Sequence, residues 1–268
     1  MNYNTVRMRR LGWAGVEIEC DNETLLIDYI QDKSPILPVL RSPDEPFPAS
    51  SRPGGASAAL LTHLHADHAD ANAIAAALRD GAPVFRPAAA TGTIDDTELT
   101  AFGERKFDRH NLATEIVGVW EVRTFGPFRI STAPAVDGFG DLQYSWIVEC
   151  GEKRVIHAGD TLFHGYWWRI ANRFGPFDVA FLPINAPVCI WPHLQPPSLI
   201  EAVMSPEEAA NAASILKARS VVPIHYGSLN KVPIYVETSH PVERLLKQSD
   251  SLKIPVMVQE PGEWFELK

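Results

Sequence analysis

The stretch Thr62-His63-Leu64-His65-Ala66-Asp67-His68-Ala69-Asp70 carries the strongest signal in this chain. It places three histidines and an aspartate within six positions, directly after the apolar run Ala58-Ala59-Leu60-Leu61. The apolar run predicts a buried strand, which would deliver the polar side chains together at the edge of a sheet. Neutral imidazoles and carboxylates are what zinc and its first-row neighbours bind. Because the chain has only nine histidines in 268 residues, the cluster predicts a metal site rather than a chance polar loop.

The spacing within this stretch favours two ions over one. His63 and His65 are two residues apart, so they would share one side if the strand continued through them. Asp67 and His68 lie beyond the expected strand end. They can therefore approach from another direction and serve a second ion.

The pattern His-x-His-x-Asp-His after an apolar strand resembles the signature of the metallo-β-lactamase-fold hydrolases. Three more segments follow in the order of that family, so that the resemblance covers about the whole chain: Leu11-Gly12-Trp13-Ala14-Gly15-Val16-Glu17-Ile18, Ala158-Gly159-Asp160-Thr161 and Pro223-Ile224-His225-Tyr226-Gly227. Leu182-Pro183-Ile184-Asn185 and Glu260-Pro261-Gly262-Glu263-Trp264 are similar to the ascorbate-phosphate lactonase-like and phospholipase D-like branch. The resemblance implies an α/β (α+β) fold, a four-layer αββα sandwich formed as a single domain by residues 1–268.

The resemblance also implies a set of ligands for two divalent ions. His63 and His65 would bind the first ion, and Asp160 would bridge both, because a carboxylate has two oxygens and can contact two cations. His225 matches the family's last histidine ligand. It would complete the set of the second ion together with Asp67 and His68.

One ligand of the family pattern is replaced. Where the family usually has another histidine for the first ion, this chain has Asp137. Aspartate is a harder, charged ligand, so the site could prefer manganese or iron, although zinc remains the first choice. A weakly held first ion and a site with a single ion are the alternatives.

Other polar residues are candidates for supporting roles. Asp28 ends the apolar run Leu25-Leu26-Ile27, and in the resembled family an aspartate there braces the metal loop, since ligating histidines need a partner for their second nitrogen. Tyr226 could polarise a substrate carbonyl or a leaving oxygen. Among the remaining histidines, His164 and then His193 are the first candidates to line the site.

Composition limits the classes of function. The formal charge of −9 argues against broad nucleic-acid binding, which requires a basic face. The N-terminus lacks the apolar core of a signal peptide and no run reaches the length of a membrane span, which predicts a cytoplasmic protein without membrane insertion. Cys20, Cys150 and Cys189 are widely spaced and odd in number, so we expect buried free thiols. The sequence is compatible with a homo-oligomer and does not determine the oligomeric state.

Together these features predict a metal-dependent hydrolase that cleaves a small-molecule lactone or ester. A metal-activated hydroxide would attack the substrate, and Asp67 or Asp160 would carry a proton to the leaving group. The alternatives are a phosphodiesterase of the phospholipase D-like type and a metal-binding protein with little hydrolytic activity.

The remaining chain gives a coarse order of elements. The proline-rich residues 31–56 predict an irregular segment, either a lid or a surface excursion. A three-stranded meander is predicted at residues 115–119, 121–125 and 128–133. Closing strands are predicted at residues 254–258 and 263–267. The sequence shows little periodicity at residues 92–111. Ser205, Pro206 and Glu208 predict the start of a helix with a capping box.

Overall fold

The computed structural model describes residues 5–42, 45–192 and 194–267. Its strands, in chain order, are Val6–Arg10 (β1), Val16–Cys20 (β2), Glu23–Ile27 (β3), Ala58–Leu60 (β4), Pro83–Arg86 (β5), Ala113–Ile116 (β6), Val122–Phe125 (β7), Phe128–Pro134 (β8), Tyr144–Cys150 (β9), Lys153–His157 (β10), Val179–Pro183 (β11), Val188–Cys189 (β12), Val221–Ile224 (β13), Tyr235–Val236 (β14) and Phe265–Leu267 (β15). Its α-helices are Ala71–Ala77 (α1), Ile94–Arg109 (α2), Trp167–Phe174 (α3), Pro206–Leu216 (α4) and Pro241–Ser251 (α5).

The strands assemble into two large sheets and one short ribbon. The larger sheet has the order β15-β1-β2-β3-β4-β5-β6, the smaller has the order β13-β11-β10-β9-β8-β7, and β12 pairs with β14. Strands β3 to β6 run parallel in the larger sheet, as do β10, β11 and β13 in the smaller. Parallel strands end at a common edge, where the loops that follow them can converge on one site.

Apolar side chains divide the protein into four layers. The cluster between the sheets includes Ile18, Leu25, Ile130, Trp146 and Phe181. A second cluster packs α1 and α2 on the larger sheet, and a third packs α3, α4 and α5 on the smaller one. Successive residues of a strand point to opposite faces, so each sheet contributes to an inner and an outer cluster. The predicted αββα sandwich is therefore confirmed.

A tight turn and a helix cap both follow from local sequence. Asp21 and Asn22 connect β2 to β3 with φ of 50° and 64°, the left-handed conformation that a tight two-residue hairpin requires. Ser205 accepts a hydrogen bond from the backbone of Glu208, and the Glu208 carboxylate accepts one from the Ser205 backbone. The capping box therefore starts α4 where the sequence predicted it.

The predicted meander is wrong in its first strand. Strand β6 pairs in parallel with β5 in the larger sheet, whereas β7 and β8 form a hairpin in the smaller sheet. The chain therefore crosses between the sheets after Ile116. The predicted strand at 254–258 is also wrong, because this segment forms only an isolated bridge between Val256 and Val221.

Residues 92–111, which showed little periodicity, contain the sixteen-residue helix α2. The helix starts at Thr93, which forms a capping box with Asp96. Its exposed side carries many charged residues and only a few apolar positions contact the sheet, which explains the weak periodicity.

The proline-rich segment 31–56 is mostly irregular but includes a 3-10 helix at Ser34–Val39. The prolines disfavour an α-helix but permit this shorter element, in which Pro35 occupies the first turn. Ile36 and Val39 are buried. Within the described ranges, no helix is both long and apolar enough to cross a membrane.

The expectation of free thiols is wrong for two of the three cysteines. Cys20 at the end of β2 and Cys150 at the end of β9 form a disulfide that spans 130 residues of sequence and joins the two sheets. Sequence spacing could not reveal the pair, because the two strands meet only when the sheets pack. Cys189 is buried and free.

Replacing Asp70 with alanine should reduce stability by about 2–3 kcal/mol, because buried backbone donors lose their acceptor. Its Oδ1 accepts from the backbone of Ala73, and its Oδ2 accepts from Gln31 and Asp32 at 2.9 and 2.8 Å. Chemical denaturation measures the change. Thr93→Ala, at the exposed cap of α2, is the control and should cost about 1 kcal/mol or less; equal losses in both variants would contradict this account of Asp70.

Candidate metal centre

The candidate site lies where strands of both sheets end. Thr62 and His63 follow β4, Asp160 follows β10, and His225 directly follows β13. Asp28 follows β3 and is paired with this group. Both Asp28 (φ 46°) and His225 (φ 54°) have left-handed backbone conformations, which are uncommon outside glycine. Such conformations persist where surrounding contacts fix them, and functional sites are a frequent location.

The structure brings the predicted ligands together. Ligand atoms of each of three groups lie within 4.8 Å of one another: His63, His65, Asp137 and Asp160; His63, Asp67 and His68; and His68, Asp160 and His225. Residues from four separate chain segments therefore converge on one point. This arrangement provides enough donor atoms for two ions.

Asp160 occupies the centre of the cluster. Its Oδ2 lies 3.7 Å from His63 Nε2, 3.9 Å from His68 Nε2 and 3.8 Å from His225 Nε2. Its Oδ1 accepts a hydrogen bond from the Gln143 side chain. A carboxylate that lies close to His63 as well as to His68 and His225 has the position expected of a bridging ligand.

Asp67 lies on the side of His68 and His225. Its Oδ2 is 3.6 Å from Nε2 of each of these two histidines. The indole nitrogen of Trp13 donates to the same oxygen at 3.0 Å, and the Trp13 ring lies 4.0 Å from the ring of His225. Trp13 thus fixes Asp67 and His225 relative to each other.

In each imidazole, one ring nitrogen lies at hydrogen-bond distance from a protein oxygen. His63 Nδ1 contacts Thr62 Oγ1 at 3.0 Å, and His65 Nε2 contacts Asp141 Oδ2 at 2.7 Å. His68 Nδ1 contacts Asp28 Oδ2 at 2.8 Å, and His225 Nδ1 contacts Asn185 Oδ1 at 3.0 Å. The Nε2 atoms of His63, His68 and His225 are buried and have no hydrogen-bond partner in the part of the chain that the structure describes. Buried polar atoms normally have a partner, so three unpartnered nitrogens facing one carboxylate fit a bound cation.

Asp137 divides its two oxygens between two tasks. Oδ1 accepts from the backbone of Phe139 at 2.7 Å and of Asp141 at 3.2 Å. Oδ2 is buried, has no hydrogen-bond partner among the residues that the structure describes, and lies 3.8 Å from His65 Nδ1. Asp137 therefore caps a turn with one oxygen and still presents the other to the cluster.

Protonation in the cluster depends on burial and on neighbouring carboxylates. Burial lowers the pKa of His225 to about 4, which leaves this imidazole neutral at pH 7. Burial also disfavours the cation of His68, but the carboxylates of Asp67 and Asp28 outweigh it and raise the pKa of His68 to about 10. Burial raises the pKa of Asp160 to about 7. Protons held here in the absence of a cation must leave when a cation binds.

The structure does not bring Tyr226 to this cluster. Its hydroxyl accepts a hydrogen bond from Arg10 at 2.8 Å, and its ring lines a separate cavity. Tyr226 follows the left-handed backbone conformation of His225 (φ 54°). His164 stacks on Trp167 at 4.2 Å and belongs to none of the ligand groups, and His193 lies outside the described residues.

Sequence reasoning missed four supporting residues, namely Trp13, Asp141, Gln143 and Asn185. Trp13 and Asn185 lie in segments that already resembled the family, but nothing local assigned them a partner. Asp141 was one helical turn from Asp137, a spacing without meaning in a loop. Their roles follow from contacts between distant chain segments.

A cavity of about 430 Å³ opens onto the cluster. His65, Asp67, Asp160 and His225 form its polar end. The rest of the wall is mostly apolar and includes Ile36, Val39, Leu99, Phe139, Trp191, Val203, Leu229 and Tyr235. The 3-10 helix of the proline-rich segment thus forms part of the cavity wall. This position is consistent with a lid, one of the two alternatives that the sequence left open for the segment.

Replacing Asp28 with asparagine should weaken metal binding about 10- to 100-fold. The Asp28 carboxylate accepts from Thr62 N at 2.8 Å and Thr62 Oγ1 at 2.7 Å as well as contacting His68, so it orients the loop and the imidazole together. Competition with a chromogenic chelator measures the affinity. Asp250→Asn, on the exposed side of α5, is the matched control; equal affinities in the two variants would contradict this role.

Known proteins resemble this chain in sequence and in fold. Residues 24–226 match the family model described as the Beta-lactamase superfamily domain. A UPF0173 metal-dependent hydrolase of Rubrobacter xylanophilus is 31% identical, with 90% of this chain and 88% of that protein covered. Another UPF0173 metal-dependent hydrolase, from Thermococcus kodakarensis, is 30% identical. That match covers 98% of this chain and 100% of the Thermococcus protein.

Among solved structures, a metallo hydrolase from the archaeon Ignicoccus hospitalis superposes with a TM-score of 0.66 at 21% identity. The match covers 98% of this chain and 99% of that one, and it shows a shared fold. The sequence matches go further and show the family. The chain belongs to the beta-lactamase superfamily and, within it, to the UPF0173 metal-dependent hydrolases.

Proposed function

We propose that this hydrolase binds two divalent ions and cleaves a small neutral lactone or ester. The observation that carries the proposal is a set of buried ligand atoms around Asp160, at the end of an apolar cavity, that have no hydrogen-bond partner within the described ranges. Buried polar atoms without partners are costly unless a ligand satisfies them. A cation fits these atoms, and an uncharged molecule fits the wall beside them.

The residues would divide between the ions as follows. His63, His65 and Asp137 would hold the first ion, Asp67, His68 and His225 the second, and Asp160 both. Zinc is the first choice, and the carboxylate of Asp137 favours manganese or iron as alternatives. When bound, such ions lower the pKa of water toward neutrality and polarise a carbonyl oxygen.

The side chains supply the remaining requirements of hydrolysis. Asp67 and Asp160 both line the cavity, so either carboxylate can accept a proton at Oδ2 and return it to the leaving oxygen. Trp13 holds Asp67 Oδ2 in place at 3.0 Å. The apolar wall excludes water from the rest of the substrate.

The cavity wall favours a neutral substrate over a phosphodiester. No arginine or lysine is among the described residues that line it. A phosphodiester carries a negative charge, which proteins usually meet with arginine, lysine or helix N-termini. Hydrolysis of a lactone or ester is therefore better supported than the phospholipase D-like phosphodiesterase activity.

A substrate panel tests the proposal. Purified protein of measured metal content should hydrolyse neutral lactones or esters at least tenfold faster than phosphodiesters of similar size. Chelation should abolish the activity, and adding back zinc or manganese should restore it. Preferential cleavage of phosphodiesters would reverse the substrate assignment, and full activity in the metal-free protein would refute the mechanism.

Replacing Asp137 tests the ligand set of the first ion. Asp137→Ala should reduce bound metal from two ions to about one per chain, because only one group of ligands loses a member. Asp137→His should retain two ions and raise the affinity for zinc, since imidazole is the softer ligand. Elemental analysis and chelator competition provide the numbers. Asp80→Ala, an exposed change, is the control, and metal content in Asp137→Ala equal to that of the control would overturn the assignment.

A further inference from the structure

Tyr235 is a buried tyrosine in the wall of the substrate cavity, in strand β14. It lines the same cavity as Asp67, Asp160 and His225, and only 5% of its surface is exposed. Strand β14 pairs with β12, where Cys189 lies opposite Tyr235. The short ribbon thus fixes the backbone of Tyr235 beside the metal centre.

The hydrogen bonds of Asn185 determine how the Tyr235 hydroxyl is used. Nδ1 of His225 lies at hydrogen-bond distance from Oδ1 of Asn185, and an amide oxygen can only accept a hydrogen bond. His225 Nδ1 therefore donates to Asn185 Oδ1, at 3.0 Å. This contact turns the amide nitrogen Nδ2 of Asn185 toward Tyr235.

The amide nitrogen can only donate, so the Tyr235 oxygen accepts this hydrogen bond, at 2.7 Å. A phenol also has one proton to donate. Burial raises the pKa of Tyr235 well above its usual range, so the hydroxyl keeps that proton at neutral pH. Among the described residues, none accepts a hydrogen bond from the Tyr235 hydroxyl.

We propose that the Tyr235 hydroxyl is a catalytic donor that hydrogen-bonds to the carbonyl oxygen of the substrate. Negative charge grows on this oxygen when the carbonyl carbon is attacked, so a fixed donor stabilises the transition state more than the ground state. Asn185 and His225 hold the hydroxyl in place before the substrate arrives. The proposal rests on the proposed ester or lactone hydrolysis, and it assigns to Tyr235 the role that the sequence suggested for Tyr226.

Tyr235→Phe is the direct test, because it removes only the hydroxyl. On the best ester or lactone of the panel, kcat should fall about 100-fold, in the range seen for loss of one oxyanion donor. Bound metal per chain should stay the same, since Tyr235 is outside the ligand groups. Unchanged kcat with normal metal content would overturn the proposal.

Tyr29→Phe is the matched control. Tyr29 is also buried, and its hydroxyl accepts a hydrogen bond from Ser50 N at 3.1 Å, outside the substrate cavity. Both variants should lose some thermal stability, but only Tyr235→Phe should lose turnover. An equal loss of turnover in the two variants would mean that lost stability explains the effect, and it would overturn the catalytic role.

Binding of butyrate separates this proposal from the proposed function. A carboxylate presents the same kind of oxygen to the hydroxyl as a tetrahedral ester intermediate, and its binding needs no turnover. Calorimetry of the metal-loaded protein should give a Kd about tenfold weaker for Tyr235→Phe than for the unmodified chain. If the panel finds no ester or lactone cleavage, the proposed function fails. The butyrate result still decides whether Tyr235 donates a hydrogen bond into the cavity, and an unchanged Kd would overturn that role.

Discussion

The candidate metal centre depends on one constraint, which is that an imidazole has two ring nitrogens and each buried one needs a partner. In this protein the outer nitrogen of each clustered histidine contacts a protein atom, such as Asp28 Oδ2 for His68 or Asn185 Oδ1 for His225. The tautomer and the ring orientation are thereby fixed before any ion binds. The Nε2 atoms of His63, His68 and His225 have no hydrogen-bond partner among the described residues, and the cluster is preorganised for a cation.

The fold satisfies this constraint by ending parallel strands of two sheets at one place. β3 and β4 deliver Asp28, Thr62 and the first histidines, while β10 and β13 deliver Asp160 and His225. Neither sheet alone contains the complete cluster. Packing of the apolar inner faces, with residues such as Ile18 and Trp146 between them, therefore determines the distances between ligands from different sheets.

The sequence predicted the layers and the proposed ligands better than their surroundings. His63, Asp67 and Asp160 could be assigned because strand-end motifs are local patterns that resemble a known family. The roles of Trp13, Asn185 and the Cys20–Cys150 pair could not, since they arise from contacts between segments far apart in the chain. The sequence placed Tyr226 wrongly, because this residue follows the left-handed conformation of His225, which the residue types in that segment do not predict.

The cavity wall has an origin different from that of the cluster. The clustered side chains stand at strand ends within the packed sandwich, whereas the wall comes from the 3-10 helix, α2 and the β12–β14 ribbon. Loops and short elements at the surface tolerate substitution and changes of length better than core strands do. Proteins of this fold can therefore evolve to bind different substrates through changes in these surface elements. The chemistry at the strand ends is then inherited unchanged.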